Sequence, residues 1–267
     1  MIRLIVTDID ETIVKEGSTN INPQYFEVIR KLTDKGIEFV AASGRHISSL
    51  QVALAPVADK IWFLSQNGSI IKKQDQTLVP NPLQLEWIPE FWKEMEKIDA
   101  PGAIAYTPDY CFIPFSGNEM HRHLTEDYHY AIKVTGGWDT LPTGEIFTMM
   151  TVYHPEDADA FCKANLNPDW HNRLQILAAG QTWVDLVPAA NGKGPALKKL
   201  CQDLAIDPSE VIAFGDNMND LSMIEFAGCG IAVENAKPAV KAVAQKIVPD
   251  YTKDGVLHEL EAILAQL

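Results

Sequence analysis

Basic charge is scarce in this sequence. Its 267 residues carry 22 Lys and Arg against 36 Asp and Glu, a formal net charge of −14 at pH 7. Binding to nucleic acid or an anionic membrane needs a basic footprint that neutralises phosphates. The longest basic runs are the pairs Lys72-Lys73 and Lys198-Lys199, so neither partner is expected. Cysteine is sparse as well. Cys111, Cys162, Cys201 and Cys229 form no C-x-x-C pair and no zinc-like spacing, which leaves buried, reduced thiols as the expectation. No apolar run approaches the roughly 18 residues of a membrane helix. The first apolar stretch, Leu4-Ile5-Val6, meets Asp8 and Asp10 too soon for a signal peptide. Repeats and low-complexity tracts are missing. A cytoplasmic protein is the expectation.

What remains is an ordinary globular chain, 46% hydrophobic and 22% charged, with apolar residues enough for a core. The length fits one large domain or two modest ones. Ile2-Arg3-Leu4-Ile5-Val6-Thr7 reads as a buried strand ending at Asp8. Pro23 to Leu32 suits a helix, with Phe26, Ile29 and Leu32 inward, Asn22 as cap, Pro23 at the first position and Gly36 as stop. A second strand, Ile37 to Ala42, ends at Ser43-Gly44-Arg45, and residues 47–54 look helical. Ile61-Trp62-Phe63-Leu64 is a third strand, ending at Gln66-Asn67-Gly68.

From about Pro80 to Pro188 the texture changes, with more turn signals and with Trp87, Trp92, Trp138, Trp170 and Trp183. The strand–helix rhythm returns at Asn191: a helix from Lys193 to Leu204, a strand Val211 to Phe214 ending at Gly215-Asp216, then further alternation to a last helix over 256–264. Such alternation implies right-handed crossovers and a parallel sheet, with the chemistry at the carboxyl ends of its strands. The expected architecture is α/β: a Rossmann-like parallel-sheet core over 1–82 and 188–267, interrupted by an inserted α/β domain over 83–187, a length that can fold alone.

Four short constellations can carry chemistry. Asp8-Ile9-Asp10-Glu11-Thr12 follows a strand, and two crowded carboxylates there raise each other's pKa unless a cation is bound. Mg²⁺, a hard ion that takes oxygen ligands, answers that need. The same acids also read as a capping turn. Gly215-Asp216-Asn217-Met218-Asn219-Asp220 adds two acids at a second strand end, or is an Asx-rich turn capped by Asp220. Asn191-Gly192-Lys193-Gly194 opens a helix without a Walker pattern. Its lysine offers a point charge to a phosphate, or is a solvated surface residue. Ser43-Gly44-Arg45 offers a hydroxyl and backbone N–H groups to an anion, or caps a helix.

As an ordered set, D-x-D-x-T at Asp8 to Thr12, Ser43, Lys193 and G-D-x-x-N-D at Gly215 to Asp220 resemble the haloacid dehalogenase (HAD) superfamily. Asn67-Gly68 and the insertion between Ser43 and Lys193 are similar to its Cof-like branch, whose cap domain sets substrate specificity. The resemblance implies a phosphatase in which Asp8 is the nucleophile that forms an aspartyl-phosphate and Asp10 the general acid/base. It implies Mg²⁺ held by Asp8, the Asp10 carbonyl and Asp216, with Asp220 orienting a metal-bound water. It further implies phosphoryl or substrate binding by Ser43, the Ile9 and Gly44 amides, Lys193, Asn219 and Asn67. The expected substrate is a small phosphorylated metabolite, a sugar phosphate above others. One departure is Glu11, where the family commonly has Gly. The Glu side chain either points to solvent or repels one class of substrate.

Two other readings compete. A receiver-like phospho-acceptor domain also uses strand-end acids, but Asp10 and the large insertion argue against it. A phosphate-binding regulatory protein with little turnover has Glu11 in its favour. His121-Arg122-His123 through His129 matches no zinc spacing and reads as a solvated segment. The tryptophans of the insertion read as core, with Trp87 and Trp92 on different helix faces. Asp185 either faces a cleft or ends a strand.

Overall fold

A computed structural model describes residues 2–98, 102–127, 130–179 and 181–267. They form two compact units. One contains the residues up to Arg45, Leu50–Leu78 and Gly192–Leu267; the other contains His46–Ser49 and Val79–Asn191. In chain order the strands are β1 (Leu4–Asp8), β2 (Glu38–Ala42), β3 (Trp62–Ser65), β4 (Ile70–Lys73) and β5 (Gln76–Leu78). The second unit supplies β6 (Gly102–Tyr106), β7 (Cys111–Ile113), β8 (Ile132–Val134), β9 (Met149–Tyr153), β10 (Leu174–Ala179) and β11 (Trp183–Pro188). The first unit then resumes with β12 (Val211–Gly215), β13 (Cys229–Val233) and β14 (Lys246–Val248).

The first unit is built on one sheet, in the order β14-β13-β12-β1-β2-β3-β4-β5. It is parallel from β14 to β3, as the crossover pattern predicts. β1 and β12 are buried along their whole length, which suits a sheet covered on both faces. β1 pairs with β2 on one side and β12 on the other, so the strand order reverses there. Open α/β sheets bind ligands at the carboxyl ends beside such a switch point. The register sets Asp8 beside Ala42 and Thr7 beside Phe214. The last residue of β1 therefore lies next to the loops that begin with Ser43 and Asp216.

The antiparallel hairpin β4–β5 carries no turn signal in the sequence. Its turn places Gln74 at φ 52°, a conformation usually signalled by Gly or Asn. The helix Pro23–Asp34 has the expected Asn22 cap and Pro start, but it buries Tyr25 and Val28 with Ile29 and Leu32, leaving Phe26 half-buried. The Tyr25 hydroxyl stays satisfied by accepting from the Leu257 N–H at 3.2 Å.

The second unit is a six-stranded sheet, β10-β11-β9-β6-β7-β8, antiparallel except for the β7–β8 pair. Alternate residues feed two clusters. Ala103, Ala105, Met150 and Val152 pack with Phe91, Trp92, Trp138 and Trp170, while Ile104, Tyr106, Met149 and Tyr153 pack with Met120, Leu124 and Val187. This is the period-two division of a sheet with both faces covered. Trp92 stacks on Trp138 at 5.1 Å between ring centroids, so these tryptophans are core. Asp185 lies inside β11 rather than at its end, buried, and accepts the Thr151 hydroxyl at 2.8 Å.

The described part of the histidine-bearing segment is solvent-accessible, as expected, at most of its side chains, and its backbone is regular. Asn118 caps a helix over Glu119–Arg122 that widens into a π turn over His123–Asp127, pinned by buried Met120 and Leu124. Tyr128 and His129 lie outside the described residues. His46, grouped with this unit, is pushed down to a pKa of about 4 by burial. Its Nε2 hydrogen goes to the Thr107 carbonyl at 3.1 Å. Cys111, Cys162 and Cys201 are buried and Cys229 half-buried, all four unbridged. Among the described residues no helix is long and apolar enough to cross a membrane.

Candidate active site

The end of β1 places Asp8 in the interior of the first unit. Its Oδ1 accepts from the Lys193 ammonium at 2.5 Å, and the same ammonium donates to Asp220 Oδ1 at 2.6 Å. Lys193 is the first residue of the helix Lys193–Asp203 and is 1% exposed. It is no surface lysine. Asp220 spends its second oxygen on the N–H groups of Asp216 and Asn217, at 2.9 and 3.0 Å. It thereby fixes both the lysine and the loop after β12. Thr12 donates its hydroxyl to Asp216 Oδ1 at 3.1 Å. Carboxylate oxygens of Asp8, Asp216 and Asp220 all lie within 4.8 Å of one another.

Three buried carboxylates share one buried ammonium, which leaves two negative charges without a cation in that group. Burial raises the Asp8 pKa well above the carboxylate range. Asp220 raises it further, and Lys193 opposes both. Burial and Asp220 together push Asp216 up to about 7. Burial works against the Lys193 charge, but Asp220 and Asp8 outweigh it and lift its pKa. An all-oxygen donor set with surplus negative charge suits a hard divalent cation, which would favour the ionised forms of Asp8 and Asp216.

Asp10 is two residues from Asp8 but outside that group. Arg45 grips its carboxylate in two-pronged fashion, Nε to Oδ2 at 2.9 Å and Nη2 to Oδ1 at 2.6 Å. The Gly17 N–H adds a third donor to Oδ1 at 2.9 Å. The Arg45 side chain is 5% exposed and that of Asp10 25%. Arg45 Nη2 is itself held by the Ser18 carbonyl at 2.9 Å. Neither the Arg45 nor the Thr12 contact is visible in sequence spacing, because each partner lies far away along the chain.

Ser43 is buried; its N–H goes to the Leu64 carbonyl and its Oγ accepts from the Arg45 N–H at 3.1 Å. Ser43-Gly44-Arg45 forms a bend ahead of the helix Ile47–Ala53 rather than its first turn. Ile9 is fully buried and its carbonyl accepts from the Ile13 and Val14 amides. Asn219 donates from Nδ2 to Asn67 Oδ1 at 2.9 Å. The structure thus joins Asp8 and Asp220 through Lys193, sets the Asp216 carboxylate within 4.8 Å of both acids, joins Asp10 to Arg45 and to the Ser43 hydroxyl, which donates to Asp10 Oδ2 at 3.4 Å, and joins Asn219 to Asn67.

Glu11 has φ 58°, a left-handed backbone that favours glycine. An L-residue there costs about 1–2 kcal/mol. Its side chain accepts from the Glu16 N–H at 3.0 Å and its carbonyl from Asn235 Nδ2 at 2.7 Å. The Glu11 carboxylate is therefore tied to its own loop and to the Tyr251 hydroxyl.

The chain belongs to the haloacid dehalogenase-like hydrolase family, whose sequence profile matches residues 5–260. It is similar to the 5-amino-6-(5-phospho-D-ribitylamino)uracil phosphatase YbjI of Escherichia coli, 23% identical over 98% of this chain and 96% of that protein. It is also similar to the phosphoglycolate phosphatase of Methanoculleus marisnigri, 26% identical over 98% of this chain and 96% of that protein. A crystal structure from Eubacterium rectale superposes with a TM-score of 0.89 at 33% identity, covering 98% of this chain and 99% of that one. The chain is a hydrolase of this family, and phosphatase is the activity named for these curated relatives.

Proposed function

We propose that this protein is a Mg²⁺-dependent phosphatase of small phosphomonoesters that works through an aspartyl-phosphate on Asp8. One observation carries the reading: two aspartates two residues apart are held by different cations in different surroundings, Asp8 by buried Lys193 and Asp10 by Arg45 at partial exposure. Two carboxylates with separated environments are the arrangement that assigns separate chemical roles.

In the first step an Asp8 oxygen attacks phosphorus and the phosphorus–oxygen bond to the leaving group breaks. Asp10, in its acid form, gives that oxygen a proton. In the second step water attacks the aspartyl-phosphate, Asp10 takes the proton back, and the Asp8 carboxylate is released with inorganic phosphate. A carboxylate cannot approach a phosphate dianion against unscreened repulsion, so catalysis is mostly charge neutralisation and positioning. Lys193, Ser43, the Ile9 and Gly44 amides and Asn219 are the groups that hold phosphoryl oxygens. Asp8, the Asp10 carbonyl and Asp216 would hold Mg²⁺, with Asp220 fixing their surroundings. The ion, when bound, offsets charge on the carboxylates and the phosphoryl group. Residues 83–187 act as the cap domain that selects the leaving group. A sugar phosphate is the favoured class, a reading that the phosphoribityl substrate named for the E. coli relative supports.

The test is phosphate release from p-nitrophenyl phosphate and a panel of sugar phosphates, with Mg²⁺ or EDTA. Wild type should release phosphate with Mg²⁺ only, and Asp8→Asn should lose at least ~10³-fold, since an amide is no nucleophile. Undiminished turnover by Asp8→Asn overturns the covalent step. No release from any compound by a folded, Mg²⁺-binding wild type overturns the phosphatase reading.

A further inference from the structure

β3 ends in a turn that the mechanism above leaves without a role. Gln66, Asn67 and Gly68 have φ of 51°, 52° and 81°, three left-handed residues in succession, and all three are buried. Side chains rarely adopt this backbone, so neighbouring structure must hold it. The Gln66 N–H donates to the Arg45 carbonyl at 3.1 Å and the Asn67 N–H to the Ser43 carbonyl at 3.0 Å. The Ser65 hydroxyl also donates to the Arg45 carbonyl, at 3.1 Å. On the other side Gly68 lies against the residue before Lys193: a Cβ on Gly68 would sit 2.4 Å from the Gly192 carbonyl oxygen. Asn67 Oδ1 accepts from Asn219 Nδ2. One turn therefore touches the loops that carry Ser43 and Arg45, Lys193, and Asn219.

The Asn219 contact has a directional consequence. A carboxamide nitrogen carries two hydrogens. One goes to Asn67, and the second remains for an anion's oxygen. Turned over, the amide would set its own oxygen against Asn67 Oδ1, acceptor to acceptor. The observed orientation is kept although it leaves Asn219 Oδ1 buried with no hydrogen-bond partner among the described residues.

We propose that Asn67 is a positioning residue that acts through Asn219: its side-chain carbonyl turns the Asn219 amide so that an N–H faces a phosphoryl oxygen, and the left-handed turn holds Asn67 in place to do so. This rests on the phosphatase reading, and it moves Asn67 from the direct substrate contact expected of it to an indirect one.

Asn67→Gly tests it, because glycine keeps the left-handed backbone without strain. With Asn219→Ala and the double variant it closes a mutant cycle, read as kcat and KM for p-nitrophenyl phosphate with Mg²⁺. Asn67→Gly should lose about tenfold in kcat/KM, the effect of one hydrogen bond, with the thermal midpoint nearly unchanged. The double variant should be no slower than Asn219→Ala, because residues acting as one unit do not add. Losses that multiply would show Asn67 touching substrate by itself, and wild-type kinetics in Asn67→Gly would remove its role; either result overturns the proposal. If wild type releases no phosphate, the phosphatase reading fails separately. The same cycle is then read as orthovanadate affinity by calorimetry, where multiplying losses or an unaffected Asn67→Gly are again the overturning results.

Discussion

Asp8 and Asp10 share a residue type, a charge and one end of β1, yet the fold treats them oppositely. Asp8 ends β1 inside the protein, beside two further carboxylates and one ammonium. Asp10 leaves the loop at partial exposure, where a planar guanidinium meets both its oxygens. The difference teaches that residue type and spacing do not set a carboxylate's surroundings; the fold and the counter-cation it supplies do. A lysine point charge among three acids leaves net negative charge and raised carboxyl pKa values. A forked arginine on one acid neutralises it one for one and fixes its direction.

The largest expected effect comes from removing the interior cation. Lys193→Ala leaves Asp8 and Asp220 buried without their partner, and breaking a buried pair in that way costs about 3–5 kcal/mol. Urea unfolding in EDTA should show a loss of that size, and added Mg²⁺ should recover part of it. Arg45→Ala, measured alongside, should cost less, about 1.5–3 kcal/mol for hydrogen bonds to a charged group, because water can reach Asp10. Equal losses from the two substitutions would break the comparison.

A smaller change sharpens it. Arg45→Lys keeps the charge but not the fork, so Asp10 is neutralised without being aimed. General acid/base catalysis contributes typically 10²–10⁴-fold, and misdirecting the group should cost ~10–10² in kcat. KM should hold nearly steady. Unaltered kcat would mean that charge alone, not the two-pronged grip, matters at Asp10.

Much of this site is legible in the sequence itself. Fully buried parallel strands read as continuous apolar runs, so the ends of β1, β2 and β12 stand out, and Asp8, Ser43 and Asp216 with them. The fold sets those loops side by side. What is not legible depends on partners distant in sequence. Arg45 follows Ser43 in what reads as a helix start, while its carboxylate lies 35 residues earlier. Thr12 and Asp216 are 204 apart. A left-handed turn built without Gly or Asn, as at Gln74, hides the β4–β5 hairpin. In the second unit β6, β7, β9 and β11 are buried almost throughout, so they lack the polar alternation that marks a solvated face.

The smallest effect tests the hinge of the comparison. Glu11 follows Asp10 at φ 58° and starts the turn that carries the chain back to Val14, whose carbonyl accepts the Glu11 N–H at 2.7 Å. The turn exists whatever occupies position 11, because Ile13 and Val14 donate to the Ile9 carbonyl and Asp10 bridges to Val14. Glu11→Gly therefore keeps the geometry and removes the left-handed penalty, about 1 kcal/mol. Against this it loses the side-chain contacts to the Glu16 N–H and to the Tyr251 hydroxyl, exposed hydrogen bonds of smaller net value. The sum should be a stability gain below about 1 kcal/mol, seen as a slightly higher urea midpoint, with kcat unchanged because the Glu11 carboxylate is tied to its own loop and to Tyr251. A rise in kcat of tenfold or more would show that this carboxylate repels substrate.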